Sequence, residues 1–324
     1  FYIADTGVGH RSSPVPQWRT SIRRLSTNGT SPVKIIEFGS TPPAEPIGAT
    51  ALTYDPNAKH IYIATGTGIV RTDLDGSNHV TISTDYAASL TISGNKLYYG
   101  VSYDGLIKRS NLDGTNPEVF LNVSNGINYN IVPSYIPAYN IPAGLAIDKE
   151  NKFIYWSSST TTSGKEDQGT ISRAPLKAQG TLEPKDVEVL VEKIEVPSQL
   201  RLIGSYLYWI EKGRWSNSVT SIKRAKFPTS KVKAPQLSSH QEVVVSSDQS
   251  DIFFGTDFVP EKNTLWIRSF AVDEERGKLW FAMESDLRVM FAKIVETELE
   301  GGELRVVDGE VGDVGIPVGL EYVR

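Results

Sequence analysis

The sequence predicts an all-β fold built from six similar units, each made of four short antiparallel strands. A strand core with an apolar residue followed by aromatic residues recurs six times, turn residues separate the strands, and the two chain ends together complete one copy of the repeat. Repeats of this size indicate a repetitive architecture. Six units of four strands describe a six-bladed β-propeller with four-stranded blades, which we expect to occupy residues 1–324 as a single domain.

The first strand of each repeat follows the pattern P-x-G-L-A-x-D, and the second strand begins after a short gap. The clearest copy is PAGLAIDKENKFIYW, from Pro142 to Trp156. Apolar and aromatic residues bounded by turn residues are typical of strands. The six cores of the second strand are Phe1-Tyr2, Ile61-Tyr62, Leu97-Tyr98-Tyr99, Ile154-Tyr155-Trp156, Leu207-Tyr208-Trp209 and Leu279-Trp280-Phe281.

The third strand carries an Ile-x-Arg pattern in five repeats, and a degenerate sixth copy is predicted at 289–293. A β-rich fourth strand follows, as at Val33 to Phe38, Val187 to Val191 and Val243 to Val245. Two repeats carry Leu-Asp-Gly-Ser/Thr-Asn after the third strand, where Asp-Gly supplies the positive φ that a tight hairpin needs. The five regular third strands contain Ile22-Arg23-Arg24, Ile69-Val70-Arg71, Ile107-Lys108-Arg109, Ile171-Ser172-Arg173 and Ile222-Lys223-Arg224.

The two chain ends each carry half of one repeat. The C-terminus reads PVGLEY from Pro317 to Tyr322, which matches the first strand, and the N-terminus reads FYIAD from Phe1 to Asp5, which matches the second. We therefore expect the ring to be closed by pairing of the C-terminal strand with the N-terminal blade.

Taken together, the patterns P-x-G-L-A-x-D, Y-W-T-D, I-x-R and L-D-G-S/T resemble the YWTD repeat of low-density-lipoprotein-receptor class B propellers over essentially the whole chain. The tetrapeptide itself is altered, since YIAD from Tyr2 keeps the aspartate and YWSS from Tyr155 keeps the aromatic residues. The resemblance implies the six-bladed fold. Receptor members of that family bind protein ligands beside cysteine-rich modules, whereas this chain contains no cysteine and resembles a free-standing propeller.

The composition argues against several classes of partner and chemistry. A net charge of -5 and a pI near 5.5 argue against nucleic acid, because phosphate binding needs a basic surface. No apolar run approaches the roughly 20 residues of a membrane span, and the lack of cysteine removes thiol chemistry and disulfides. The missing initiator Met and the sequons at Asn28 and Asn122 favour a secreted glycoprotein slightly.

Long insertions fall mainly in the loops between second and third strands and between blades, which share one face of a propeller. Unequal loops on a rigid scaffold predict a functional site on that face. Their aromatic residues predict a mostly apolar small-molecule cavity. The predicted substrate-binding residues are Trp18, Tyr103, Tyr129, Tyr135, Tyr139, Trp215, Phe253, Phe254 and Trp266.

Polar residues in the same loops are predicted to act on the bound molecule. His10 is a candidate proton donor, and Arg11, Lys165 and Arg214 are candidates to hold an anionic oxygen. No phosphate-binding or dinucleotide motif is present, and the four histidines lack metal-ligand spacing, so neither a cofactor nor a metal is predicted.

Three functions remain open on this evidence. Free-standing YWTD-like propellers are known among fungal hetero-Diels–Alderases of tropolonic sesquiterpenoid biosynthesis, which this chain resembles in architecture and length. That resemblance implies dehydration of a tropolone-like substrate to a quinone methide, then stereoselective cycloaddition to a terpene-like alkene in a dry pocket. The alternatives are a secreted YWTD-type protein-binding module without catalysis and a metal-dependent lactonase-like hydrolase.

Overall fold

The fold is an all-β six-bladed propeller of six four-stranded antiparallel sheets, as predicted, and the described residues also include a short 3-10 helix at Pro184–Asp186. The strands lie in two compact units. The structure is a computed structural model that describes residues 2–5, 20–24, 33–38, 49–102, 104–123, 141–159, 169–176, 184–212, 219–227, 241–248, 265–285, 292–308 and 317–321.

The first unit comprises Phe1–Thr84, Trp215–Ser221 and Val244–Arg324 and contains blades I, II and VI. Blade I has the sheet order β24 (Pro317–Glu321), β1 (Tyr2–Asp5), β2 (Thr20–Arg24) and β3 (Val33–Phe38). Blade II has the order β4 (Ala49–Asp55), β5 (His60–Thr65), β6 (Gly68–Asp73) and β7 (Val80–Ser83). Blade VI has the order β20 (Leu265–Asp273), β21 (Lys278–Ser285), β22 (Ala292–Glu298) and β23 (Arg305–Asp308).

The second unit comprises Asp85–Arg214 and Ile222–Val243 and contains blades III, IV and most of V, since Ser221 and Val244–Ser246 fall in the first unit. Blade III has the order β8 (Ala87–Ser93), β9 (Lys96–Val101), β10 (Leu106–Asn111) and β11 (Glu118–Asn122). Blade IV has the order β12 (Ile141–Asp148), β13 (Phe153–Ser159), β14 (Gly169–Pro175) and β15 (Glu188–Ile194). Blade V has the order β16 (Pro197–Ile203), β17 (Tyr206–Glu211), β18 (Ser221–Lys226) and β19 (Glu242–Ser246).

The two chain ends pair in blade I, which confirms the predicted closure. Strand β24 is antiparallel to β1, with Leu320 opposite Ile3 and Gly319 opposite Ala4. The backbone N–H of Leu320 also donates to Ser269 Oγ of β20 at 2.7 Å. Ile3 and Leu320 are buried in one apolar cluster with Trp280 of blade VI, so the split repeat contributes to the core.

Tight turns join the strands as their residue types predict. At the ends of innermost strands, Asp148 Oδ1 accepts the N–H of Asn151 at 2.8 Å, and Asp273 Oδ1 accepts the N–H of Glu275 at 3.1 Å. In the Leu-Asp-Gly turns, Gly76 and Gly114 each have φ of +86°, which a glycine adopts without strain. These turns fix the order of strands within a blade.

Buried arginines connect the third strand to the fourth in blades III, IV and V. Each arginine donates through Nε to a glutamate on the neighbouring outer strand and stacks on an aromatic ring. In blade IV, Arg173 lies 2.8 Å from Glu188 and 4.4 Å from the Phe153 ring centroid. Pairing and stacking together compensate for burial of the charge. The other pairs are Arg109 with Glu118 and Arg224 with Glu242.

Blade VI carries the same ion pair with its charges reversed. Glu296 occupies the register position of the arginine, because it pairs with Trp280 as Arg173 pairs with Tyr155. Arg305 lies opposite it on β23, and its Nη2 is 3.1 Å from Glu296 Oε1. The third strand was predicted at 289–293; residues 289–291 lie outside the described part of the chain, while β22 spans Ala292–Glu298 and places its equivalent of Ile-x-Arg at Ile294 to Glu296, further along the chain than predicted.

Innermost strands of the second unit lie close together. Ser89 Oγ of β8 donates to the carbonyl of Pro142 in β12 at 2.5 Å. A Cβ atom at Gly144 would lie 2.7 Å from the backbone N of Leu200 in β16. The Gly of P-x-G-L in blade IV is thus required by close approach of two backbones.

Candidate functional site

Each innermost strand has a β-bulge near the P-x-G-L segment. The register between the innermost strand and its neighbour shifts there in every blade, so that the pairing skips one residue of the innermost strand. A bulge redirects the side chain of its extra residue and often lies next to a functional site. The extra residues are Val318, Thr50, Ala88, Ala143, Gln199 and Arg268, in blades I to VI.

Blade VI presents a cation and an aromatic ring at its bulge. Arg268 is the extra residue of β20, and its guanidinium carbon lies 4.5 Å from the centroid of the Trp266 ring. Both side chains are half-buried. In such a stack the flat face of the guanidinium contacts the ring. The N–H groups lie in the plane of the guanidinium, and they can donate to an oxygen in that plane. The indole therefore orients a cation at the surface of the innermost strand.

Lys293 lies at the same end of blade VI. It pairs across β22 and β21 with Met283, which in turn pairs with Ile267 between Trp266 and Arg268. Lys293 is half-buried, and burial lowers the pKa of its ammonium group. A lysine with a lowered pKa releases a proton more readily near neutral pH. Blade VI thus combines an aromatic surface, a fixed cation and a candidate proton donor.

Of the predicted site residues, Trp266 lies within the described part of the chain. It belongs to strand β20, at the strand's second residue, although the sequence pattern assigns it to the end of a loop. The other predicted site residues lie outside the described residues, so their roles stay predictions. They are His10, Arg11, Trp18, Tyr103, Tyr129, Tyr135, Tyr139, Lys165, Arg214, Trp215, Phe253 and Phe254.

Arg268 and Lys293 are absent from the sequence-based prediction of the site. A signal for Arg268 exists, since IRSFAVD from Ile267 to Asp273 aligns with P-x-G-L-A-x-D and places Arg268 at the first variable position. The bulge that exposes this position has no residue signature of its own. The sequence-based prediction placed Lys293 in a different register of the third strand, so its pairing with Met283 was not recognised.

Within the described residues, no three His, Cys, Asp or Glu side chains come together in a way that could hold a metal ion. In the same part of the chain, no helix has the length and apolar character needed to span a membrane.

Comparison with known sequences gives a distant relative. No protein-family model matches the chain. A protein of Pyricularia oryzae (strain 70-15), described as low-density lipoprotein receptor-related protein 1, is 29% identical over 160 residues. The match covers 46% of this chain and 50% of that protein, so it extends over about half the length of the relative. This similarity fits the YWTD-type repeat.

Comparison with solved structures supports the fold. A chain of a nidogen/laminin complex is similar with a TM-score of 0.59 and 14% identity, covering 99% of this chain and 97% of that one. A putative TolB from Agrobacterium tumefaciens has a TM-score of 0.55 at 12% identity, covering 89% and 88%. The calcium-binding protein regucalcin from the same species has a TM-score of 0.55 at 11% identity, covering 85% and 78%. The chain is therefore an all-β six-bladed propeller with YWTD-like repeats and a weak similarity to a receptor-related protein.

Proposed function

We propose that this propeller binds a small aromatic molecule at blade VI and acts on it without a cofactor. The observation that carries the proposal is the stacked pair of Trp266 and Arg268 at the bulge of β20. In its finer form, the reaction is dehydration of a hydroxymethyl tropolone to a quinone methide, followed by a stereoselective hetero-Diels–Alder addition to a terpene alkene. The resemblance to fungal hetero-Diels–Alderases is the source of that finer form.

The residues of blade VI match the needs of this reaction. Loss of the hydroxyl as water needs a proton, and Lys293 is the group with a lowered pKa. The tropolone hydroxyl loses its proton to solvent in the same step and becomes a carbonyl, and Arg268 supplies a guanidinium that holds this oxygen while it carries negative charge. Trp266 supplies apolar surface for a flat ring. The cycloaddition itself then depends on how the two partners are held.

A chiral LC–MS assay tests the proposal directly. Hydroxymethyl tropolone and a humulene-type alkene are incubated with the protein, without it and with heat-denatured protein. We expect the native protein to accelerate formation of one stereoisomer. A rate and isomer ratio equal to those of the protein-free reaction would reject the catalytic proposal.

Arg268→Ala is expected to reduce the rate of the dehydration step by roughly 100-fold, as loss of a single charge-stabilising donor does in other enzymes. The matched control is Arg305→Ala, because Arg305 is exposed on the outer strand of the same blade. Single-turnover kinetics on both variants measure the effect. Equal rates in Arg268→Ala and wild type would remove Arg268 from the mechanism.

The pH dependence of the rate tests Lys293. Because burial lowers the Lys293 pKa below the ordinary value of 10.5, the protonated form disappears at a lower pH than for an exposed lysine. If the ammonium donates the proton, the rate should fall as the pH rises through this lowered pKa. Lys293→Met should reduce the rate and abolish that alkaline limb, whereas Lys149→Met, at an exposed lysine, should retain it. If the fall of the rate at alkaline pH persists in Lys293→Met, a group other than Lys293 donates the proton.

The second candidate function is a protein-binding module without catalysis. It is favoured by the fungal relative, whose description is that of a receptor-related protein. If the rate with protein in the LC–MS assay equals the rate without protein, and a purified protein binds directly in surface plasmon resonance, this function would be favoured over catalysis.

A further inference from the structure

The third-strand arginine is present in blades I and II, but the residue opposite it on the fourth strand is a valine. Arg24 pairs with Val33 across β2 and β3, and Arg71 pairs with Val80 across β6 and β7. In blades III and IV, the same register position holds a glutamate whose carboxylate binds the arginine Nε. The outer strands of blades I and II therefore supply no carboxylate at this register position.

Within the described part of the chain, the guanidinium of Arg71 has no ion-pair or hydrogen-bond partner. The side chain is half-buried, so the charge has lost part of its hydration. Arg24 differs, because it is exposed and forms a hydrogen bond with the Tyr2 hydroxyl. A guanidinium that is partly removed from water and unpaired raises the free energy of the protein, and a bound carboxylate would lower it.

The acidic side chain on the same face of blade II is already bound by other residues. His60 lies opposite Asp73, two positions along β5 and β6 from the pair formed by Tyr62 and Arg71. His60 Nε2 is 3.2 Å from Asp73 Oδ1, and Asn78 Nδ2 donates to Asp73 Oδ2 at 2.8 Å. Asp73 therefore does not supply the carboxylate that Arg71 lacks.

Solvent reaches the position that a glutamate occupies in the other blades. Val80 stands at that position in blade II and is 41% exposed, which is unusual for a large apolar side chain in a strand. The equivalent glutamate carboxylates lie 2.7 Å from arginine Nε in blade III and 2.8 Å in blade IV. A ligand carboxylate at this distance from Arg71 would place the rest of the ligand beside Val80, where apolar contact is favourable.

We propose that Arg71 binds the carboxylate of a small acid with an apolar body. The guanidinium offers a positive charge and parallel N–H donors, which match the two oxygens of a carboxylate. A carboxylate is the expected anion because it replaces a glutamate side chain of the same repeat, and Val80 favours an apolar group attached to it. This inference concerns blade II alone and does not depend on the activity proposed for blade VI.

Saturation-transfer NMR with benzoate, in a carboxylate-free buffer of low ionic strength, tests the proposal. Benzamide is the control ligand, since it keeps the ring and lacks the charge. Arg71→Met removes the guanidinium. Val80→Glu places a glutamate where blades III and IV have one, so the protein's own carboxylate should occupy the site. Val80→Thr is the matched control at the same position, and Arg24→Met is the control for attraction to an exposed arginine. Urea unfolding of each variant reports on the fold.

We expect benzoate to bind wild type, Arg24→Met and Val80→Thr with similar affinity, and to bind Arg71→Met and Val80→Glu roughly tenfold more weakly or worse. Benzamide should bind all five proteins equally weakly. The urea midpoint of Val80→Glu should exceed that of Val80→Thr, because the glutamate restores the ion pair. Undiminished benzoate binding in Arg71→Met or Val80→Glu, an equal loss in Arg24→Met, no binding to wild type, or a lower urea midpoint in Val80→Glu than in Val80→Thr would each overturn the proposal.

Discussion

Gly144→Ala is expected to lower the free energy of unfolding by about 2–4 kcal/mol, a large effect for one methyl group. The added Cβ would lie 2.7 Å from Leu200 N, 2.8 Å from Gln199 N and 3.0 Å from Gln199 C, all of them backbone atoms of β16. Backbone in a paired strand cannot move aside as a flexible side chain can. Strands β12 and β16 must therefore separate, which disturbs the apolar cluster that contains Ala146 and Leu200. Equilibrium unfolding in urea, monitored by circular dichroism, measures the change.

Gly204→Ala is the control for the glycine substitution. Gly204 lies in the turn after β16 with φ of +55°, and a Cβ atom there would meet nothing within 4 Å. Its replacement by alanine should lower the free energy of unfolding by about 1 kcal/mol, because alanine is strained in the left-handed backbone conformation. If Gly144→Ala were no more destabilising than Gly204→Ala, close approach of the two innermost strands would not be the reason for the glycine.

Reversal of the buried ion pair in blade IV is expected to cost less free energy of unfolding than the two single changes added together. Arg173→Glu places a carboxylate beside Glu188 and removes the stack on Phe153, so we expect a loss of about 3–5 kcal/mol. Glu188→Arg should lose less, because Glu188 is partly exposed. The double variant should regain about 1–2 kcal/mol relative to the sum of the two single changes. Urea unfolding of the four proteins gives this coupling energy.

Blade VI is the reason to expect recovery. There Glu296 accepts the indole N–H of Trp280 at 2.9 Å and the guanidinium of Arg305 at 3.1 Å, so the fold already accommodates the reversed order of charges. In blade IV, Tyr155 occupies the register position of Trp280 and has a hydroxyl able to donate to a carboxylate. Losses in the two single variants that simply add up would mean that Arg173 and Glu188 contribute independently.

The fold was predictable from the sequence because each strand type carries its own pattern. The aromatic cores, the Ile-x-Arg strands and the split repeat at the chain ends were sufficient to assign the blades and the pairing of β24 with β1. In blade VI the third strand was predicted at 289–293, too early in the chain for its Ile-x-Arg position. Glu296 replaces the expected arginine there, and reversal of both charges preserves the ion pair while it removes the signal that sequence reasoning uses.

The candidate site was less predictable, because a bulge is a property of pairing and not of composition. Residues as different as Thr50, Ala88 and Arg268 occupy the extra position of the innermost strand. Loop aromatics gave a general expectation of a pocket, but they did not single out the cation on Trp266.

The most direct test of a small-molecule site at blade VI is isothermal titration calorimetry of hydroxymethyl tropolone against three proteins: wild type, Arg268→Ala and Arg305→Ala. We expect saturable binding to wild type, unchanged affinity in Arg305→Ala, and an affinity roughly tenfold lower or worse in Arg268→Ala, because a hydrogen bond to a charged group is lost. The same affinity in all three proteins, or no binding to wild type, would contradict the assignment of the ligand to Trp266 and Arg268.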